Sequence, residues 1–158
     1  MRSQAVRARP PVVLIVGDDD EARAMYAVAL HFMGVHPLVA ATADEGFTRA
    51  CEHHPDVVVT DLSLGTSSLD LLRRLHADTR TRAATLMALT AQTGTAVARQ
   101  AHAIGCHRFV LKPCPPDALA GEILNALSPD PEGRRAQDDS PRTTGRPAWT
   151  DTGHRTTF

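Results

Sequence analysis

Four short apolar runs constrain this chain more than any other feature: Val12-Val13-Leu14-Ile15-Val16, Val57-Val58-Val59-Thr60, Thr85-Leu86-Met87-Ala88-Leu89 and Phe109-Val110-Leu111. They are rich in β-branched or large apolar residues and almost without polar alternation. A strand that reads this way has to be covered on both faces, as in a parallel sheet packed between helices. A weaker fifth run, Val35 to Ala40, contains Pro37. Proline removes a ladder donor, so this strand is expected at a sheet edge.

Helical patterns fill the gaps between the runs. Met25, Tyr26, Ala29, Leu30 and Met33 mark one face of a first helix, and Gly34 stands where its C-terminus needs a left-handed residue. Thr42-Ala43-Asp44-Glu45 is a capping box opening a helix whose inner face would use Phe47, Ala50 and Cys51. Leu69, Leu71, Leu72 and Leu75 give a third helix, and Ala96 to Ile104 a fourth, stopped by Gly105. Pro116 and Asp117 start a fifth, with Leu119, Ile123, Leu124 and Leu127 turned inward. Five strand–helix units in succession require right-handed crossovers. The expected architecture is α/β: a three-layer (βα)5 doubly wound parallel sheet. Such sheets bind ligands outside the carboxyl ends of their strands, where the strand order reverses.

The periodic pattern runs from Pro10 to Leu127, enough for one core. Residues 1–9 and 128–158 offer no face to bury and are expected to be disordered tails. Residues 10–127 carry nine basic against thirteen acidic side chains, the reverse of a nucleic-acid surface. Cys51, Cys106 and Cys114 are odd in number and have no framework spacing, as reduced thiols of the cytoplasm would be. No stretch approaches membrane-spanning length. The expectation is a cytoplasmic protein that binds neither nucleic acid nor membrane.

Each of the four runs delivers a polar group at its carboxyl end: Asp18, Asp61, Thr90 and Lys112. Lys112 is the sole lysine among seventeen Lys and Arg residues, which suggests a position that wants a compact ammonium on a flexible stem. Two carboxylates on neighbouring strand ends make a hard-oxygen site suited to Mg²⁺ with several retained waters. A carboxylate is also a phosphoryl acceptor, given a cation and an ammonium to offset the incoming charge. Asp61 is the better acceptor of the two because it ends the more β-branched run, at the expected middle of the sheet. It lies too far from Leu69 to cap the third helix. Asp19, Asp20 and Glu21 read instead as an acidic first turn complementing a helix N-terminus. His53 and His54, at a helix end, read as favourable C-terminal charge and not as zinc ligands.

These stretches resemble the receiver domain of bacterial response regulators of the single-domain, chemotaxis (CheY-like) type. The resemblance is carried by Val12–Arg23 (VVLIVGDDDEAR), Pro55–Leu75 (PDVVVTDLSLGTSSLDLLRRL), Met87–Ala91 (MALTA) and Gly105–Leu119 (GCHRFVLKPCPPDAL), in order and in phase with five βα units. It implies a flavodoxin-like strand order of 2-1-3-4-5 and two-component phosphorelay signalling. Asp61 would be the phosphoacceptor, while Asp18, Asp61 and the backbone carbonyl of Ser63 would be Mg²⁺ ligands. Thr90 would be the switch hydroxyl and Lys112 the phosphoryl-contacting ammonium, followed by a cis peptide bond to Pro113. Phe109, otherwise a core aromatic, matches the position of a switching ring. A histidine kinase or phosphotransfer protein would supply the phosphoryl group, and the signal would leave through protein contacts. The chain would be a signalling phosphoacceptor and not an enzyme acting on other substrates.

Two departures from the family pattern bear on the chemistry. Gly17 stands where the family usually has an acid that reaches the metal through water. The loop Leu64-Gly65-Thr66-Ser67-Ser68 is one residue short and lacks the usual proline and Asp-Gly pair. Both leave open a second class of function, a pseudo-receiver that binds partners without phosphorylation. A hydrolase with an aspartyl-phosphate intermediate would need a second acid where Ser63 stands, and a nucleotide-binding domain would need a glycine-rich cradle after the first run.

Overall fold

The first strand, β1 (Val12–Val16), lies between β2 (His36–Ala40) and β3 (Val57–Asp61). The sheet continues through β4 (Thr85–Thr90) to β5 (Arg108–Leu111), giving the order β2-β1-β3-β4-β5. Every neighbouring pair is parallel. The protein is described here from a computed structural model covering residues 9–92 and 94–127; the tail assignments at 1–8 and 128–158 fall outside the described residues. Five helices connect the strands: α1 (Asp20–Phe32), α2 (Ala43–His53), α3 (Thr66–Ala77), α4 (Ala96–Ile104) and α5 (Pro116–Leu127). A 3-10 turn, Leu62–Leu64, intervenes between β3 and α3.

Two apolar clusters explain why the strand runs lack alternation. Val13, Ile15, Val57, Val59, Met87 and Leu89 pack on one side against Tyr26 and Leu30 of α1 and Leu119, Ala120 and Ile123 of α5. Leu14, Val16, Val58 and Ala88 pack on the other against Ala50 of α2, the leucines of α3, and Ala98 and Ala101 of α4. Successive side chains of a strand point to opposite faces, and here each face meets helices. Both faces are therefore apolar, and each fully buried aliphatic side chain contributes roughly 1.5–3 kcal/mol.

The helix boundaries follow local chemistry. Asp19 caps α1 by accepting from the Ala22 N–H at 3.1 Å, with Asp20 and Glu21 in the first turn. Thr42 caps α2 by accepting from Glu45 N–H at 3.1 Å. The Glu45 carboxylate reaches back to the N–H of Ala41 at 2.8 Å, one residue further than a standard capping box, and this bond is the main cause of its lowered pKa. Gly34 takes φ +85° after α1, as its position required.

Several expectations from periodicity need correction. Met25 of α1 and Met33, which follows its last residue, are not on the inner face; they stand 52% and 43% exposed, while Tyr26 and Leu30 make the contact. The pattern spread over more than one face of the helix, and only tertiary packing selected which part meets the sheet. Phe47 is only partly buried, with the Arg74 guanidinium 4.3 Å above its ring. β5 is an edge strand, so Phe109 and Val110 are partly covered and Leu111 is 50% exposed, rather than buried on both faces. Leu124 and Leu127 are likewise only partly buried.

Candidate functional site

The register of the ladders assembles one edge of the sheet. Val16 lies opposite Thr60, so Gly17 and Asp61 follow side by side. Asp61 lies opposite Leu89, and Thr90 opposite Leu111, which places Thr90 and Lys112 beside Asp61 at the carboxyl ends of β4 and β5. The Lys112 N–H donates to the Thr90 carbonyl at 2.9 Å, extending that ladder one residue past β5.

Asp61 is held by both oxygens. Its Oδ2 accepts from Lys112 Nζ at 2.8 Å, and its Oδ1 accepts from the Ser63 N–H at 2.9 Å. The second bond makes Asp61 the N-cap of the 3-10 turn Leu62–Leu64. Asp61 therefore does cap, though not α3: that helix starts at Thr66, earlier than its leucine pattern suggests, after Gly65 at φ +67°. The Asp61 side chain is 14% exposed and that of Lys112 is 32% exposed, so the pair is half-sheltered yet open at one side. Gly17 forms part of the wall: a Cβ built there would sit 3.5 Å from the Asp61 Cβ.

The other predicted residues are distributed unevenly about this pair. Asp18 directly follows Gly17 and its side chain is exposed. Thr90 is almost fully buried, and its hydroxyl donates to the Gln92 carbonyl at 2.8 Å. Phe109 packs against the cluster beneath α4, its ring centroid 6.3 Å from that of His102. The Lys112–Pro113 peptide bond is cis. Among the described residues no group of three or more His, Cys, Asp or Glu side chains is placed to hold a metal ion. Of the two carboxylates expected to bind a metal, Asp18 is exposed and Asp61 is engaged by Lys112 and the Ser63 N–H.

Two residues bordering the site escaped the sequence reading. Arg23, in the first turns of α1, donates to the Gly17 carbonyl and to Asp20. Nothing in the pattern distinguished it from a solvated surface arginine. Tyr26, assigned only to the core, is 8% exposed and directs its hydroxyl at the Cys114 carbonyl, 2.9 Å away. Burial, then the neighbouring Cys114, Asp61 and Asp19, raise its pKa. Its signal was present: it is the sole tyrosine of the chain, on an otherwise aliphatic face.

Asp61 and Lys112 are thus an acid and an ammonium paired at the carboxyl edge of a doubly wound parallel sheet. Residues 13–124 match the response regulator receiver domain, and the chain belongs to that family, the receivers of two-component signalling. It is 31% identical over 116 residues to the phosphate regulon transcriptional regulatory protein PhoB of Pseudomonas aeruginosa, covering 73% of this chain and 51% of that protein. It is 28% identical over 130 residues to the DNA-binding response regulator MtrA of Mycobacterium tuberculosis, covering 82% and 53%. The chain thus spans about half the length of these curated relatives. Among solved structures, the chemotaxis response regulator CheY4 of Vibrio cholerae superposes with a TM-score of 0.69 at 21% identity, over 75% of this chain and 99% of that one. A response regulator from Burkholderia pseudomallei with a phosphorylated aspartic acid, calcium ion and citrate gives 0.65 at 24% identity, over 85% and 76%. No helix among the described residues is long and apolar enough to cross a membrane.

Proposed function

We propose that Asp61 is the phosphoacceptor of this receiver, and that Mg²⁺ assists the transfer. The observation that carries this reading is the state of Asp61: at the end of the central strand, open on one side, and oriented by Lys112 and the Ser63 N–H. A carboxylate oxygen of Asp61 attacks the phosphorus of a phosphohistidine or small acyl phosphate. The bond from phosphorus to the donor breaks, and the donor leaves with its electron pair. Lys112 turns from the carboxylate to a phosphoryl oxygen, its flexible stem allowing the change of partner. Asp18, Asp61 and the Ser63 carbonyl are hard oxygen donors that fit Mg²⁺ completed by water. Bound there, the ion would neutralise charge on the transferring group.

The added phosphoryl carries about −1.5 to −2 charge. It recruits the Thr90 hydroxyl from the Gln92 carbonyl, and Phe109, only partly packed on the edge strand, turns into the space so released. The face made by α4, β5 and α5 changes shape for a downstream protein. A histidine kinase or phosphotransfer protein is the donor. Met25, Val28 and Phe32 stand 52%, 55% and 81% exposed on α1 at intervals of three and four, an apolar stripe suited to a partner helix. The acidic balance of residues 10–127 argues against nucleic acid as a direct partner of this domain.

Mg²⁺ with a small acyl phosphate is expected to add one phosphoryl mass to the wild-type chain and none to Asp61→Asn, read by intact-protein mass spectrometry. Equal labelling of the two would reject Asp61 as acceptor. A second reading, the pseudo-receiver, is favoured by Gly17, which offers no side-chain oxygen, and by Arg23, whose guanidinium already engages the Gly17 carbonyl. Absence of millimolar Mg²⁺ binding in a calorimetric titration would select it.

A further inference from the structure

Two loops bring the charges of the site together, and they come from opposite ends of the chain. The loop after β1 carries Gly17 and Asp18 and runs directly into α1. The loop after β5 carries Lys112, Pro113, Cys114 and Pro115 and runs into α5. The β5 loop has little backbone anchorage of its own: the Lys112 N–H bonds to the Thr90 carbonyl, and both prolines lack a donor. Beside the packing of Cys114 on the cluster of Tyr26 and Leu30, its one described hydrogen bond to α1 is that of the Cys114 carbonyl to the Tyr26 hydroxyl, at 2.9 Å across 88 positions of sequence. The ring of Tyr26 is locked in the core beside Leu30, Leu119 and Ile123, so the hydroxyl is a fixed point.

We propose that Tyr26 is a positioning residue: by holding the Cys114 carbonyl against α1, it sets where Lys112 stands relative to Asp61. The inference rests on the phosphoacceptor reading for its consequence, though not for its geometry. Lys112 lies two residues from the latch and its ammonium must be placed to within a fraction of an ångström of the transferring group. Releasing the carbonyl lets the loop from Lys112 to Pro115 move away from α1. The ammonium then samples positions away from Asp61.

Two readouts on the full-length chain test this separately. In a Cys51→Ser background, Cys106 is fully buried, leaving the half-buried Cys114 as the one accessible thiol. Tyr26→Phe, which removes only the hydroxyl, is expected to speed alkylation of Cys114 under native conditions several-fold. An unchanged rate would overturn the latch, whether or not Asp61 is ever phosphorylated. Tyr26→Phe is also expected to slow phosphorylation by acyl phosphate about 2- to 10-fold at saturating donor, the equivalent of one neutral hydrogen bond, with Mg²⁺ affinity unchanged. Combined with Lys112→Ala, Tyr26→Phe should cost nothing further, because it acts through the lysine. Equal losses in the Lys112 and Lys112→Ala backgrounds would make Tyr26 a merely structural residue. Failure of wild type to label at all would defeat the phosphoacceptor reading while leaving the alkylation result standing.

Discussion

Replacing Gly17 with aspartate asks whether this site lacks only one oxygen. Gly17 sits beside Asp61 at the end of β1, and a Cβ there would lie 3.5 Å from the Asp61 Cβ and 3.9 Å from its Oδ2, ordinary contact distances. The added Cβ makes only ordinary contacts, and the effect considered is electrostatic. A second carboxylate about 5 Å from that of Asp61 costs roughly 3 kcal/mol at an effective dielectric of 20. Solvent and the Lys112 ammonium reduce this to on the order of 1–2 kcal/mol, so without Mg²⁺ the variant should melt about 5 °C below wild type. With Mg²⁺ the sign reverses. A further oxygen partner tightens binding about 10- to 100-fold, which is roughly 1.4–2.7 kcal/mol and restores the melting temperature. Calorimetric titration with Mg²⁺ and thermal unfolding with and without the ion measure both halves, and Gly17→Asn separates charge from shape. Should Gly17→Asp bind Mg²⁺ no more tightly than wild type and melt at the same temperature in its absence, position 17 does not face the ion and the placement of the metal site is wrong.

Thr60 is fully buried, and its hydroxyl is the one buried side-chain polar atom without a partner among the described residues. Thr60→Val keeps the branched shape and removes the unsatisfied group, so denaturant unfolding should show about 1–2 kcal/mol of added stability, and a loss would mean the hydroxyl is satisfied. Gly46→Ala would ordinarily favour a helix by about 1 kcal/mol, but the new methyl would lie 2.9 Å from Val16 Cγ2. The expected result is a net loss of about 1–3 kcal/mol, relieved by adding Val16→Ala; a stabilised single variant would contradict the tight approach of α2 to β1. Hydrogen bonds from the Arg80 side chain and backbone hold the Asp78 carboxyl down at about 2, against an ordinary 3.8. A depressed carboxyl contributes stability that is complete above its unfolded value and lost as pH falls towards the folded one. Urea midpoints should therefore drop between about pH 4 and pH 2, and Arg80→Ala should flatten that part of the profile. An unaltered acid limb in Arg80→Ala would exclude this pair as a source.

Much of this molecule was determined by local sequence. Unalternating runs at 12–16, 57–60 and 85–89 could only be strands covered on both sides, and Pro37 placed β2 at an edge, because backbone donors and apolar faces have to be satisfied somewhere. Polar residues at the ends of those runs followed from the same pattern, since parallel register brings the carboxyl ends of consecutive βα strands to one edge. What periodicity could not decide was which of several apolar residues on a helix meets the sheet. Met25 and Tyr26 are adjacent and both apolar in pattern, yet packing buried one and left the other in solvent. Nor could it foresee contacts between distant segments. The Tyr26 hydroxyl meets the Cys114 carbonyl, and the Arg74 guanidinium meets both Asp44 and the Phe47 ring. Such bonds depend on where rigid elements stop relative to one another. That is set by the packing of the whole three-layer stack, and no window of neighbouring residues contains it.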